Sequence, residues 1–208
     1  MKPADLAKEY TRLGADMISV VTAPSFGGDK EWIKDIRKVT NLPILRKDFL
    51  YTADELKETK DLGADQVLLI AQLFTFDELD TLCFHANRIG LKPVIEVQQV
   101  TDLMISTKVD AHRILINNRN LRTGKINMLN AFNMIHLVSN QYELTTASGY
   151  DIESNMITKV TELGFYDNIL IGKLLMTSTD LEETFKQIKR QCTKTMNMKT
   201  APEKAEDL

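Results

Sequence analysis

Short apolar runs alternate with longer amphipathic stretches along the chain, and this alternation restricts the available folds more than any other feature. The candidate strands are 17–22 (MISVVT), 43–46 (PILR), 66–71 (QVLLIA), 93–97 (PVIEV), 112–117 (HRILIN), 143–147 (ELTTA) and 168–172 (NILIG). Several are almost continuously apolar, as expected of parallel strands buried on both faces. Helices are expected over 29–39, 52–62, 76–89, 152–163 and 180–191, the last capped by Ser178-Thr179-Asp180. Gly14, Gly63, Gly90 and Gly164 each end a helical stretch just before a strand, where a left-handed cap needs no Cβ. Their successive spacings of 49, 27 and 74 residues are close to two, one and three βα units of about 25 residues. The segments RLGADMISVV and DLGADQVLLI repeat the same wording.

Such alternation builds a parallel α/β fold, either a closed barrel or a doubly wound sheet. No G-x-G-x-x-G or Walker A loop is present, which weakens the case for a nucleotide-binding sheet. The expected architecture is a (β/α)8 TIM barrel lacking its first strand, with seven parallel strands where closure takes eight. The chain starts with a helix, so strands 17–22 and 168–172 are each expected to keep an unpaired edge. A homodimer or a partner chain covering that open edge is a corollary. One barrel domain is expected over 1–191. From 192 to 208 the periodicity is lost, and a frayed or disordered tail is expected.

A chain of 208 residues, 43% hydrophobic and 26% charged, suits one soluble domain. The net charge of −3 leaves no basic footprint, so nucleic acid is not an expected partner. A small anionic substrate remains compatible, because a pocket can be locally positive on an acidic protein. Cys83 and Cys192 are too few and too far apart for a disulfide framework, which points to a reducing cytoplasm. No apolar run reaches the roughly 18 residues of a membrane helix. The polar start MKPADLAKEY does not read as a signal peptide. His85, His112 and His136 do not cluster, so no metal site is expected.

In barrels of this class, polar groups at the C-terminal ends of strands face the active site. Those ends carry Lys47 in Arg46-Lys47-Asp48-Phe49, Glu96 inside PVIEV, Asn117 and Arg119 in Asn117-Asn118-Arg119-Asn120, Ser148-Gly149, and Gly172-Lys173. Glu96 says most, because a carboxylate within a buried strand costs several kcal/mol unless it is paired. Lys47 is either a solvated loop lysine or a pocket lysine able to act as an acid. Asn117 and Arg119 either cap a strand or line a pocket, and the planar fork of Arg119 suits a carboxylate or phosphate. Ser148, Gly149 and Gly172 follow the last two strands, where barrels often hold phosphate with backbone N–H groups. Lys173 either adds a positive charge there or points to solvent. Together these residues describe a pocket for a phosphorylated, carboxylate-bearing small molecule.

At ADMISVVTAPSFGGD, LPILRKDFL, LGADQVLLIAQL, PVIEVQQVTDL, ILINNRNLRT, ASGYDIES and NILIGKLLM the chain resembles the indole-3-glycerol-phosphate synthase family, from residue 4 to about 190. The resemblance implies the substrate 1-(2-carboxyphenylamino)-1-deoxyribulose 5-phosphate. It implies indole ring closure with loss of CO₂ and water, with no metal or organic cofactor. By motif position, Lys47 is similar to the family's general acid and Glu96 to the carboxylate that stabilises the cationic intermediate and helps remove protons. Asn117 resembles the asparagine that orients substrate hydroxyls, and Arg119 the arginine near the anthranilate carboxylate. Phe26 and Phe49 look like the aromatic walls of the anthranilate site. Ser148, Gly149 and Gly172 look like part of the phosphate cradle, with Lys173 beside them. Two departures stand out. The family's first strand, with a glutamate, a lysine and a Ser-Pro-Ser run, is not found in this sequence. Where the family reads Glu-Ser-Gly, this chain reads Ala147-Ser148-Gly149. Lys173 also replaces a glutamate or small residue. Two alternatives to the enzyme therefore stand: a phosphate-binding pseudoenzyme, and a barrel with altered chemistry on a related sugar phosphate.

Overall fold

The seven apolar runs form seven strands, all parallel and hydrogen-bonded to one another in chain order. The computed structural model describes residues 2–193. The strands are β1 (Ile18–Val21), β2 (Ile44–Lys47), β3 (Gln66–Ile70), β4 (Lys92–Val97), β5 (Arg113–Asn117), β6 (Glu143–Ala147) and β7 (Asn168–Leu170). Between and outside them run α1 (Pro3–Arg12), α2 (Trp32–Arg37), α3 (Ala53–Asp61), α4 (Phe76–Arg88), α5 (Val100–Ser106), α6 (Leu129–Met134), α7 (Met156–Leu163), α8 (Lys173–Met176) and α9 (Leu181–Thr193).

The period-2 alternation of each strand sorts its side chains into two buried layers. Val67, Leu69, Ile95, Val97, Ile114 and Ile116 point outward and pack under the helices. Leu45, Leu68, Ile70, Val94, Leu115 and Ala147 point inward and fill the barrel with Met17, Phe49, Leu121 and Leu170. Burial on both faces is why these strands read as unbroken apolar runs. At the floor, Arg113 Nε stands 2.9 Å from Glu143 Oε2 as an ion pair, and Asn168 Nδ2 donates to Glu143 Oε1 at 3.1 Å.

Among the described residues β1 and β7 each pair on one side only, so the sheet is a nearly closed barrel with an open seam. Helix α9 ties the elements on either side of that seam. Its Phe185 ring lies 5.6 Å from Tyr10 of α1, and Lys189 Nζ donates to Leu13 O at 2.7 Å. Gln191 Nε2 donates to Ile152 O ahead of α7, while Ile188 and Cys192 pack with Ile157 and Val160.

Two expected helices begin later than periodicity alone suggests. The 29–39 stretch is helical only over Trp32–Arg37, because Asp29 Oδ1 accepts from Glu31 N–H and holds the entry as a turn. The 152–163 stretch starts at Met156, after Asp151 Oδ1 caps Ser154 N–H and Asn155 turns left-handed at φ 54°. The expected cap before α9 is present: Asp180 Oδ1 accepts from Glu183 N–H at 2.9 Å. Gly14, Gly63, Gly90 and Gly164 all follow helices with positive φ, the conformation their repeat called for. Helices α5, α6 and α8 were not anticipated; at four to seven residues they are too short to show a period. Of the expected tail over 192–208, residues 192 and 193 belong to α9, and 194–208 lie outside the described residues.

Candidate active site

Strand β2 extends through Lys47, which places this residue in the ladder opposite Val21 of β1 rather than in the following loop. Lys47 therefore shares the inward parity of Leu45, and its ammonium meets Glu96 from β4. The Nζ–Oε2 distance is 3.0 Å, with Glu96 only 1% exposed and the lysine side chain 25% exposed. Asn117 Nδ2, from β5, donates to the other carboxylate oxygen at 2.8 Å. Three strands thus bring an ammonium, a carboxylate and an amide together at the C-terminal mouth of the barrel. The buried Glu96 charge is matched by one cation and by amide donors, which is what makes its burial tolerable.

Arg119 joins this group through its backbone. Its N–H donates to Asn117 Oδ1 at 2.9 Å, while its guanidinium Nη1 reaches Gly124 O at 3.0 Å. The loop around it folds back on itself through an antiparallel bridge from Arg119 to Ile126. Phe26, from the 3₁₀ turn Pro24–Phe26, stacks on Phe49 with centroids 6.2 Å apart, and the residue is 70% exposed.

Ser148 and Gly149 follow β6 in consecutive left-handed conformations, φ 73° and 87°. For Ser148 this conformation costs about 1–2 kcal/mol, and Asn118 Nδ2 helps hold the turn by donating to Ser148 O at 3.1 Å. Glycine suits position 149 on two counts: its φ of 87° disfavours an L side chain, and a Cβ there would lie 2.5 Å from Met128 Sδ and 2.6 Å from Ile126 Cγ2, side chains that would have to shift. The pairing of Ala147 with Leu170 sets this turn beside Gly172, the residue preceding α8. Lys173 is exposed at the start of that short helix. Ala147 itself pairs with Asn117 and is buried among the inward apolar residues.

The strand-end runs include Arg46, Asp48 and Asn118 but give them no role, and Gln98 lies just beyond its strand. Arg46 and Asp48 flank Lys47 and so face the opposite way. Arg46 Nε donates to Thr22 Oγ1 at 3.0 Å and its Nη1 to Thr59 Oγ1 at 2.9 Å; Thr22 Oγ1 donates to Asp48 Oδ2 at 2.5 Å. This network anchors the ends of β1 and β2 to α3 behind the mouth. Strict alternation applied to RKD would have separated it from Lys47. Gln98 and Asn118 are buried amides, each one position past a residue of the mouth or its strand. Asn118 Oδ1 accepts from Ala131 N–H, and Tyr150 OH bonds to Thr146 and Asn118; burial pushes the Tyr150 phenol up. Two open surface depressions of about 430 and 460 Å³ lie between outer helices, and neither is lined by the residues of the mouth. Among the described residues no group of His, Cys, Asp and Glu is arranged to hold a metal ion, and no helix is long and apolar enough to cross a membrane.

Solved structures of similar shape include 3-hexulose-6-phosphate synthase from Salmonella typhimurium. Its TM-score is 0.72 at 16% identity, covering 87% of this chain and 88% of that one. A KGPDC from Streptococcus mutans has TM-score 0.72 at 12% identity, with 93% of each chain covered. At such identities these likenesses establish the barrel fold alone. Sequence relatives are closer. The indole-3-glycerol phosphate synthase of Campylobacter hominis is 35% identical over 189 residues, spanning 90% of this chain and 72% of that protein. That of Acetivibrio thermocellus is 32% identical over 188 residues, with the same coverage. The family model for indole-3-glycerol phosphate synthase matches residues 1–188. With a parallel barrel, a charged mouth on its C-terminal face and a match over nearly its whole length, the chain belongs to the indole-3-glycerol phosphate synthase family.

Proposed function

We propose that the protein acts as an indole-3-glycerol phosphate synthase in tryptophan biosynthesis, closing the indole ring of 1-(2-carboxyphenylamino)-1-deoxyribulose 5-phosphate with loss of CO₂ and water. The observation that carries this reading is the Lys47–Glu96–Asn117 constellation. An ammonium 3.0 Å from a buried carboxylate is a cation that can give a proton to the substrate carbonyl as the ring closes. Glu96, with its oxygens held by Lys47 and Asn117, then faces the cationic intermediate and receives protons from it. Asn117 orients the substrate hydroxyls.

Phe26 and Phe49 form the wall against which the anthranilate ring stacks. Arg119, on binding, exchanges the Gly124 carbonyl for the anthranilate carboxylate; a charge-assisted bidentate pair is the stronger contact. The turn at Ser148 and Gly149, with Gly172 and Lys173 alongside, receives the phosphate. No metal or organic cofactor enters this scheme. The cytoplasm suits a protein with two free thiols working on a phosphorylated metabolite.

The test is direct. Incubation with the substrate at high enzyme concentration should raise indole fluorescence and release CO₂ in equal amounts. No turnover would remove the enzyme reading. A second reading, a binding module that keeps the phosphate cradle without the chemistry, draws on one observation: Ala147, beside Asn117, places a methyl group where the family carries a carboxylate. Calorimetric binding of the substrate without turnover would favour it.

A further inference from the structure

Two amides donate to the Glu96 carboxylate, and the orientation of both is set by one short turn. Asn117 Oδ1 accepts the Arg119 N–H at 2.9 Å, which leaves its Nδ2 facing Glu96 Oε1 at 2.8 Å. Gln98 repeats the arrangement from β4: its Oε1 accepts the Leu121 N–H at 3.1 Å, and its Nε2 stands 3.4 Å from the same Glu96 oxygen. A backbone N–H can only donate, so each amide oxygen must face the turn and each NH₂ must face the carboxylate. Gln98 is itself buried, and its own N–H is held by Asp102 Oδ2 at 2.9 Å, a carboxylate that also receives Gln99 N–H and Gln72 Nε2.

We infer that Gln98 is a positioning residue for the reaction, joining the Glu96 carboxylate to the 119–121 turn so that Arg119 and Glu96 are held in one fixed relation. It rests on the function proposed above and goes beyond it: Gln98 does not touch the reacting atoms, but it sets the donors of the group that does. Other groups facing Glu96 are Lys47 from β2 and Asn117 from β5, with Asp102 behind Gln98 on α5; Ile70, Ala147 and Leu170, the inward residues at the ends of β3, β6 and β7, carry no charge.

The experiment compares wild type with Gln98→Met and Gln98→Glu. Methionine keeps the volume and removes both hydrogen bonds; glutamate keeps the acceptor for Leu121 N–H but replaces the donor with a second carboxylate. Loss of an N–H donor disfavours the charged form of Glu96, and an adjacent carboxylate disfavours it further. The acid limb of the kcat/KM profile should move to higher pH in Gln98→Met and further in Gln98→Glu. In Gln98→Met, kcat should fall about tenfold with a smaller change in KM.

The same order should appear in a ¹³C NMR titration of the glutamate carboxylates, with the Glu96 signal assigned by its absence in Glu96→Gln. That titration needs no turnover, so it reads the role of Gln98 even if the wild type proves inactive on this substrate. If both variants lose only thermal stability, while the Glu96 titration and the acid limb stay at wild-type values, Gln98 is a packing residue and the inference is overturned.

Discussion

Lys47 pairs with buried Glu96 at the C-terminal mouth, so on the proposed function its removal should act on both rate and stability. Lys47→Gln should lower kcat by about 10²–10⁴-fold, the usual worth of a general acid, as read by indole fluorescence. The fold should survive, since Asn117 and Gln98 still donate to the carboxylate. Ala147 makes the opposite case. It is 2% exposed, inward-facing and paired with Asn117. Ala147→Glu should raise kcat by about tenfold or more by returning an acid–base group to the mouth. It should also lower stability by about 1–3 kcal/mol, because the added group must be buried. Urea titration beside steady-state kinetics separates the two effects, and a variant that loses stability with no gain in rate would refute the catalytic assignment of this position. Residue types were legible at this scale: Glu96 stood out because a carboxylate has no business in an apolar strand unless something pairs with it. That Lys47 shares its pocket was expected from the strand ends; that the two pair directly was not, because Lys47 lies 49 positions away along the chain and only strand register brings them into contact.

Helix starts at the element scale follow local chemistry closely. Thr52 and Thr75 each accept the N–H three residues on, and Glu55 and Glu78 return bonds to the cap backbone. In Thr75→Ala the hydroxyl is lost but the helix remains, so stability should fall by about 1 kcal/mol with activity unchanged; chemical denaturation would measure it. Such boxes are readable from the chain because both partners sit within one turn. The late starts of α2 and α7 were harder to read. There, Asp29 and Asp151 side chains compete for backbone N–H groups that periodicity alone assigns to a helix.

At the scale of the molecule, burial fixes the alkaline limit. Burial pushes the Cys83 thiol up to about 12 and raises the phenols of Tyr10, Tyr150 and Tyr166. In the unfolded chain a thiol ionises near about 8.5 and a phenol near about 10. Above those values the unfolded state sheds protons that the folded state keeps, so stability falls as pH rises. Thermal unfolding should accordingly move to lower temperature between about pH 9 and 11, and Cys83 should resist thiol reagents until the protein unfolds. The open seam carries a second expectation. Among the described residues, β1 and β7 each lack a strand neighbour on one side, and the buried Ser19 Oγ on β1 has no hydrogen-bond partner. Light scattering should show mass rising with concentration as copies or a partner strand cover that edge; a monomer at high concentration would refute it.

From the chain alone came the parallel α/β class, the count of seven strands, the glycine-capped repeat and the list of polar residues at strand ends. All of these depend on interactions within a few residues, or on a period that burial imposes on every strand alike. The tertiary structure alone decided which of those polar residues meet. Parallel register turned Lys47, Glu96 and Asn117 toward one mouth and Arg46 and Asp48 to the outside, while the loop after β5 folds back to hold the Arg119 guanidinium on Gly124 O. The reason is physical: a parallel sheet joins segments far apart in sequence, and a one-residue shift in register reverses every side chain, so the site exists only once the strands have been laid side by side.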